Sequence, residues 1–157
     1  METIEETLRK SGIVLPAVAA PAGLYQPAIR IGELIYTSGQ LPLVDGKLQE
    51  PGGKGRVSEM RQDEVARAAR TAALNAVAAI RSEAGSLDAV ARIVKLTVYV
   101  SSEQGFTNQH IVANGASALI GEIFGDAGRH VRSAVGVAAL PVDASVEVEL
   151  VAFCPLS

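Results

Sequence analysis

Apolar residues repeat along the chain with two different periods, and the switches between them divide it into elements. In Asp63–Ala84, the residues Val65, Ala69, Ala72, Ala76, Ile80 and Ala84 recur three or four positions apart, which predicts a long helix ended by Gly85. Its stripe is mostly alanine, so the helix can lie close against a sheet. Phe106–Phe124 predicts a second helix, closed by Gly125. Thr3–Lys10 predicts a short opening helix stopped by Gly12, a residue that tolerates positive φ. Ala28–Ile31 and Leu34–Gln40 read as strands joined by a tight turn at Gly32-Glu33. Ala91–Val100 reads as a strand with Val94, Leu96, Val98 and Val100 on one face. Arg132–Ala139 and Ala144–Cys154 read as two more, separated by Leu140-Pro141-Val142-Asp143. The order ββ-α-β-α-ββ predicts an α+β fold, one domain over 1–157 with its helices on one face of a sheet and 1–22 as an N-terminal extension.

The segments between these elements are marked by proline and glycine. Pro16, Pro21 and Pro27 lie in an irregular entry segment, and the chain from Pro42 to Arg56 is rich in Gly, Pro and charge, as surface loops are. Gly52-Gly53-Lys54-Gly55 resembles a phosphate-binding loop only superficially. That motif needs Ser or Thr after its lysine and a strand before it, and here Gly55 follows Lys54, so a mobile loop is expected.

Composition removes several functional classes. With 48% hydrophobic and 20% charged residues and a mean hydropathy of +0.26, the chain can support a packed core, and general disorder is excluded. A net charge of −3 lacks the basic footprint of a nucleic-acid binder. The single cysteine, Cys154, allows neither an internal disulfide nor a CxxC site, and with no activating neighbour in sequence it reads as an inert buried thiol. No apolar run reaches the roughly 18 residues of a membrane span. The charged start METIEETLRKSG is unlike a secretory signal, so the expected location is cytoplasmic. His110 and His130 have no carboxylate or thiol at metal-ligand spacing, and no metal is expected. His110 reads as a partly buried helix residue, and His130 stands two residues before Arg132.

The last two predicted strands carry the chemistry. In Arg132–Ala139 the odd positions Ser133, Val135, Val137 and Ala139 are mainly apolar, which assigns them to the helix-covered face. In Ala144–Cys154, Val146, Val148, Leu150 and Ala152 take that face and Glu147, Glu149, Val151 and Phe153 the other. On this reading Arg132 and Glu147 share the second face. If the two strands pair antiparallel, Arg132 lies opposite Phe153 and Glu147 opposite Ala138, roughly 20 Å apart at about 3.3 Å per residue. A small-molecule site using both residues would then need two chains packed through that face.

The run Arg132-Ser133-Ala134-Val135-Gly136-Val137-Ala138-Ala139-Leu140-Pro141, followed by Val146-Glu147-Val148-Glu149, resembles the C-terminal signature of the reactive-intermediate deaminases. This Rid family is also called the YjgF family and was formerly labelled L-PSP endoribonuclease. Thr37-Ser38-Gly39-Gln40-Leu41-Pro42 resembles its N-terminal motif, and Gly23-Leu24-Tyr25 stands where the family usually has Gly-Pro-Tyr. The likeness runs from about Gly23 to Phe153. It implies a chorismate-mutase-like fold with a mixed sheet on two helices, assembled as a homotrimer with clefts between subunits. It also implies cofactor-free hydrolysis of 2-imino or 2-enamino acids to 2-oxo acids and ammonia. By resemblance, Arg132 holds the substrate carboxylate and Glu147 handles the attacking water, while Tyr25, Ser38, Gly39, Asn114 and Ala134 line the pocket. Ala134 replaces a cysteine common in the best-known branch, and the segment 43–60 and the N-terminal segment are longer than in that branch.

These roles suit the residue types. A guanidinium binds a carboxylate bidentately and stays charged at any working pH. A protonated imine carbon is already electrophilic, so its hydrolysis needs positioning and a proton acceptor for water more than a strong nucleophile. Two alternatives use the same cleft differently: a binding protein that holds a carboxylated metabolite without turnover, and the ribonuclease of the older label. The acidic balance and the scarcity of aromatic residues count against the second.

Overall fold

The computed structural model describes residues 1–21 and 23–156. The opening helix α1 (Ile4–Ser11) begins with a capping box in which the Thr3 side chain accepts from the Glu6 N–H and the Glu6 carboxylate accepts from the Thr3 N–H. It ends at Gly12, in the left-handed conformation at φ 67°. Helix α2 (Gln62–Ala84) and helix α3 (Gln109–Phe124) are the two long helices. The second starts three residues later than its apolar pattern suggests. Phe106 is buried but precedes the helix, and Asn108 occupies the cap.

The strands are β1 (Ala28–Ile31), β2 (Leu34–Thr37), a two-residue hairpin β3 (Leu43–Val44) and β4 (Lys47–Leu48), β5 (Arg92–Ser101), β6 (Val131–Val137) and β7 (Val146–Phe153). The main sheet has the order β1-β2-β7-β5-β6. β7 pairs antiparallel with both β2 and β5, and β6 pairs parallel with β5. The expected β6–β7 hairpin is therefore wrong. Parallel neighbours need a crossover connection, and α3 supplies it between β5 and β6. β6 thereby takes the outer place, and β7 enters on the other side of β5.

Both helices pack on the face that carries Leu96, Val98, Val100, Val146, Val148, Leu150 and Ala152, all of them buried. Val94 does not join them. The pairing of β5 with β7 slips between Ile93 and Lys95, so that Ile93 is buried and Val94 turns outward. The alanine stripe of α2 is buried as its pattern predicts. Helices α2 and α3 cross so closely that a Cβ at Gly115 would stand 1.9 Å from the Ala66 carbonyl oxygen.

The segment after β2 is ordered and not the mobile loop its glycines suggest. Gly52 and Gly53 are buried. The Ser145 N–H donates to the Gly53 carbonyl at 3.0 Å and the Ser145 hydroxyl to the Gly52 carbonyl at 2.5 Å. Arg61 donates to the carbonyls of Lys54 and Arg56, and the buried Asn75 amide donates to the carbonyls of Leu41 and Leu43. Among the described residues no helix is long and apolar enough to cross a membrane.

Gly115→Ala should destabilise the protein by about 2 kcal/mol, because backbone on both sides of the crossing must move to admit one methyl group. Urea unfolding monitored by circular dichroism measures this. Ala substituted at the exposed glycine of the β1–β2 turn, Gly32, serves as the contrast, since there the cost arises from φ alone.

Candidate functional site

The parallel pairing of β6 reverses the expected faces of that strand. Arg132 is level with Leu96, whose side chain is in the core, so Arg132 and Ala134 point under α3. The odd residues Val131, Ser133 and Val135 are exposed on the opposite face. Glu147 is level with Tyr99 and, through it, with Val135. Arg132 and Glu147 thus lie on opposite faces of the sheet and not on one. Their backbones are separated by two strand spacings and three residues, about 10 Å in each direction. This replaces the separation expected from a β6–β7 hairpin.

Around Arg132 the structure gathers one group of the expected residues. Its Nη1 donates to Asn114 Oδ1 at 2.8 Å and to Ser117 Oγ at 3.1 Å, and its Nη2 donates to the His110 carbonyl at 3.3 Å. All three acceptors are neutral, and Arg132 makes no ion pair among the described residues. Its charge is therefore uncompensated within the chain, and two of the five N–H donors of a guanidinium remain for another acceptor. His110 is exposed, not partly buried, and it contributes its carbonyl to Arg132. His130 is half-buried with Nδ1 3.1 Å from the Val131 carbonyl. A carbonyl only accepts, so Nδ1 carries the proton. Burial, and secondarily the Arg132 charge, push its pKa below the usual histidine value.

A second group lies toward the β1–β2 edge. Gln40 and Val148 exchange backbone hydrogen bonds at 2.7 and 2.9 Å, which lays the turn after β2 against the start of β7. Ser38 donates its hydroxyl to the Gln26 carbonyl and its N–H to the Pro27 carbonyl. These bonds hold the exposed Tyr25 segment beside Ser38 and Gly39. A Cβ at Gly39 would stand 2.1 Å from Glu147 Oε1 and 2.6 Å from its Cδ, so the absence of a side chain there makes room for the carboxylate. Tyr99 donates to Glu149 Oε1 at 2.9 Å, fixing the second glutamate of the strand. Burial, and then the Glu149 charge, raise the Glu147 carboxyl above its usual range.

The structure therefore sorts the expected residues into two groups. Arg132 and Ala134 lie under α3 at one sheet edge with Asn114 on that helix, while Tyr25, Ser38 and Gly39 lie toward the other edge and Glu147 reaches them from the central strand β7. Ser117 and Tyr99 join these groups without having been expected. Ser117 had one available signal, its position seven residues after His110 and three after Asn114 on a helix. Tyr99 was hidden by the unknown partner of β5. Among the described residues no group of three or more His, Cys, Asp or Glu side chains is placed to hold a metal ion.

Residues 5–154 match the family model described as "YjgF/chorismate mutase-like, putative endoribonuclease". Protein TCP17 of Trypanosoma cruzi is 45% identical over 147 residues, which is 93% of this chain and 91% of that protein. A crystal structure from Shewanella oneidensis, named a "putative endoribonuclease", matches with a TM-score of 0.90 at 34% identity, covering 97% of this chain and 99% of that one. Escherichia coli TdcF with bound serine matches with a TM-score of 0.63 at 27% identity, over 89% of this chain and 94% of that one.

The Glu147 carboxyl should titrate above 4.5, and Glu149→Gln should lower its midpoint by removing the adjacent charge. Carbon-detected NMR of the side-chain carboxyls across pH 3–8 reads both, and an unmoved Glu147 resonance in the variant would exclude the coupling. Since the native fold holds this proton more tightly than the unfolded chain does, stability from this group is full below the unfolded value. It declines as pH rises through the native midpoint.

Proposed function

The chain belongs to the YjgF/chorismate-mutase-like family, and from that premise we propose that it hydrolyses reactive 2-imino and 2-enamino acids to 2-oxo acids and ammonia, in clefts between three copies of itself. The observation that carries this reading is the Arg132 guanidinium, held from one side by three neutral acceptors and left with its full charge and two donors. Such a group suits a planar carboxylate. The Escherichia coli neighbour with bound serine supports a ligand bearing one.

Glu147 is the proton acceptor in this scheme. Water adds to the carbon of the protonated imine and gives a proton to the Glu147 carboxylate. That proton returns to the nitrogen of the resulting carbinolamine, and as the C–N bond breaks ammonia leaves and the hydroxyl proton passes to Glu147, leaving the 2-oxo acid. A carboxyl with a raised pKa is a better base once ionised, which suits this role near neutral pH. Tyr25, Ser38 and Gly39 line the same side, and Asn114 and Ala134 the arginine side. No cofactor enters the scheme. The single thiol and the absence of an apolar spanning helix among the described residues are compatible with a cytoplasmic setting.

The separation of the two groups is compatible with a ring: a head-to-tail contact that sets the arginine group of one copy against the glutamate group of the next closes into a cycle where its rotation allows. The uncovered sheet face exposes Ile29, Ile31, Tyr36, Val131 and Val135, and it also carries the part-buried Val151 and Phe153. An apolar face of this kind favours burial against further copies. The endoribonuclease label belongs to the family and to neighbours, whereas a chain of net charge −3 is poorly suited to a polyanion.

An amino-acid oxidase generating imines in the presence of the protein tests the activity, with faster release of 2-oxo acid expected. Glu147→Gln should lose about 10²–10⁴-fold in rate while still binding carboxylates. Arg132→Lys should fail despite keeping its charge, since the planar fork is gone. Mixing Arg132→Ala with Glu147→Gln subunits should restore activity, because some clefts then combine an intact arginine with an intact glutamate. Dead hybrids after proven subunit exchange would refute the shared cleft.

A further inference from the structure

The three acceptors that hold Arg132 come from one stripe of one helix. His110, Asn114 and Ser117 are four and three residues apart on α3, the spacing that aligns positions along a single face. Helix α3 is itself immobilised by its close crossing with α2 at Gly115, where only glycine fits against the Ala66 carbonyl. The stripe is therefore a rigid support. Asn114 Oδ1 and Ser117 Oγ both accept from Nη1, at 2.8 and 3.1 Å, and so occupy both of its N–H donors. Without Ser117, Asn114 on Nη1 and the His110 carbonyl on Nη2 would remain, and the guanidinium plane could rock about the Cδ–Nε bond. With two acceptors on Nη1 and a carbonyl on Nη2, its plane is fixed and its free donors face a set direction.

From this geometry we infer that Ser117 is a positioning residue: its hydroxyl fixes the plane of the Arg132 guanidinium and so sets how tightly a carboxylate ligand is bound. The inference rests on Arg132 being the carboxylate anchor of the proposed reaction. It adds a residue that touches no substrate and acts only through the arginine. A planar carboxylate needs two parallel N–H donors, and a pivoting fork presents them only part of the time, so the loss of Ser117 should weaken binding and leave the bond-breaking step alone. Threonine keeps the hydroxyl and alanine removes it.

The test measures the full-length protein with pyruvate, a stable 2-oxo acid, as the probe. Ser117→Ala should raise the pyruvate Kd about fivefold, the factor that one hydrogen bond of ordinary net strength is worth. It should raise KM for imine hydrolysis equally with kcat unchanged, and Ser117→Thr should restore both. NMR of the arginine side-chain nitrogens gives a readout that needs no ligand. Rotation of the Arg132 guanidinium should quicken by about the same factor in Ser117→Ala. Wild-type affinity and wild-type rotation in Ser117→Ala would overturn the inference. So would a Ser117→Thr variant as weak as Ser117→Ala, since packing and not the hydroxyl would then be responsible. If pyruvate binds and the variants behave as expected while no imine is hydrolysed, the deaminase reading fails and the role of Ser117 stands. If wild-type protein does not bind pyruvate, both are overturned.

Discussion

The parallel pairing of β5 and β6 is the constraint from which the rest of the site follows. Parallel neighbours cannot be joined by a tight turn, so the chain must cross the sheet between them, and here it crosses as α3. That crossing lays a helix over the even positions of β6, placing Arg132 where helix-borne acceptors reach it. It also puts β6 at the sheet edge, with β5 and β7 between it and β2. The distance between the arginine and the glutamate is thus a property of topology before it is a property of side chains.

Where one face of a strand was strongly apolar, the alternation could be read directly. Val146, Val148, Leu150 and Ala152 are buried as their period requires, and the alanine stripe of α2 lies against the sheet. In β6 the contrast misled. Its even positions hold Arg132, Ala134 and Gly136, which look like an open face, yet Gly136 lacks a side chain where other groups take the space. A Cβ at Gly136 would meet Gln109 and Ser102 at 2.8 and 3.0 Å. Its odd valines look like core residues, yet two of them are exposed in the single chain. An edge strand can carry apolar residues on the face its own chain leaves uncovered, and period alone does not separate that face from a core face.

The candidate site residues came chiefly from motif resemblance, and the structure supplies a physical reason for the placement of some of them. Gly39 does not serve a special backbone angle; it leaves volume for the Glu147 carboxylate, 108 positions later in the chain. The helical spacing of Ser117 from Asn114 was visible, but neither its contact with Arg132 nor the Tyr99–Glu149 contact was legible. Each depends on which strand lies next to which, and a single sequence does not fix that when hairpin and crossover are both sterically open.

The central position of β7 has a consequence for how the molecule comes into being. β7 is synthesised after every strand it joins, yet it lies between β2 and β5, with Leu34 paired to Phe153 and Tyr36 to Val151. Until it emerges, the N-terminal hairpin has no neighbour, and β5 has β6 on one side and an open edge on the other. Contacts of such long sequence separation slow folding, because a large loop must close before any pairing rewards it. The nascent chain therefore carries the open edge of β2 through most of its synthesis and that of β5 from its completion until β7 emerges, a state in which a chaperone, or a neighbouring nascent copy, would find the most to bind.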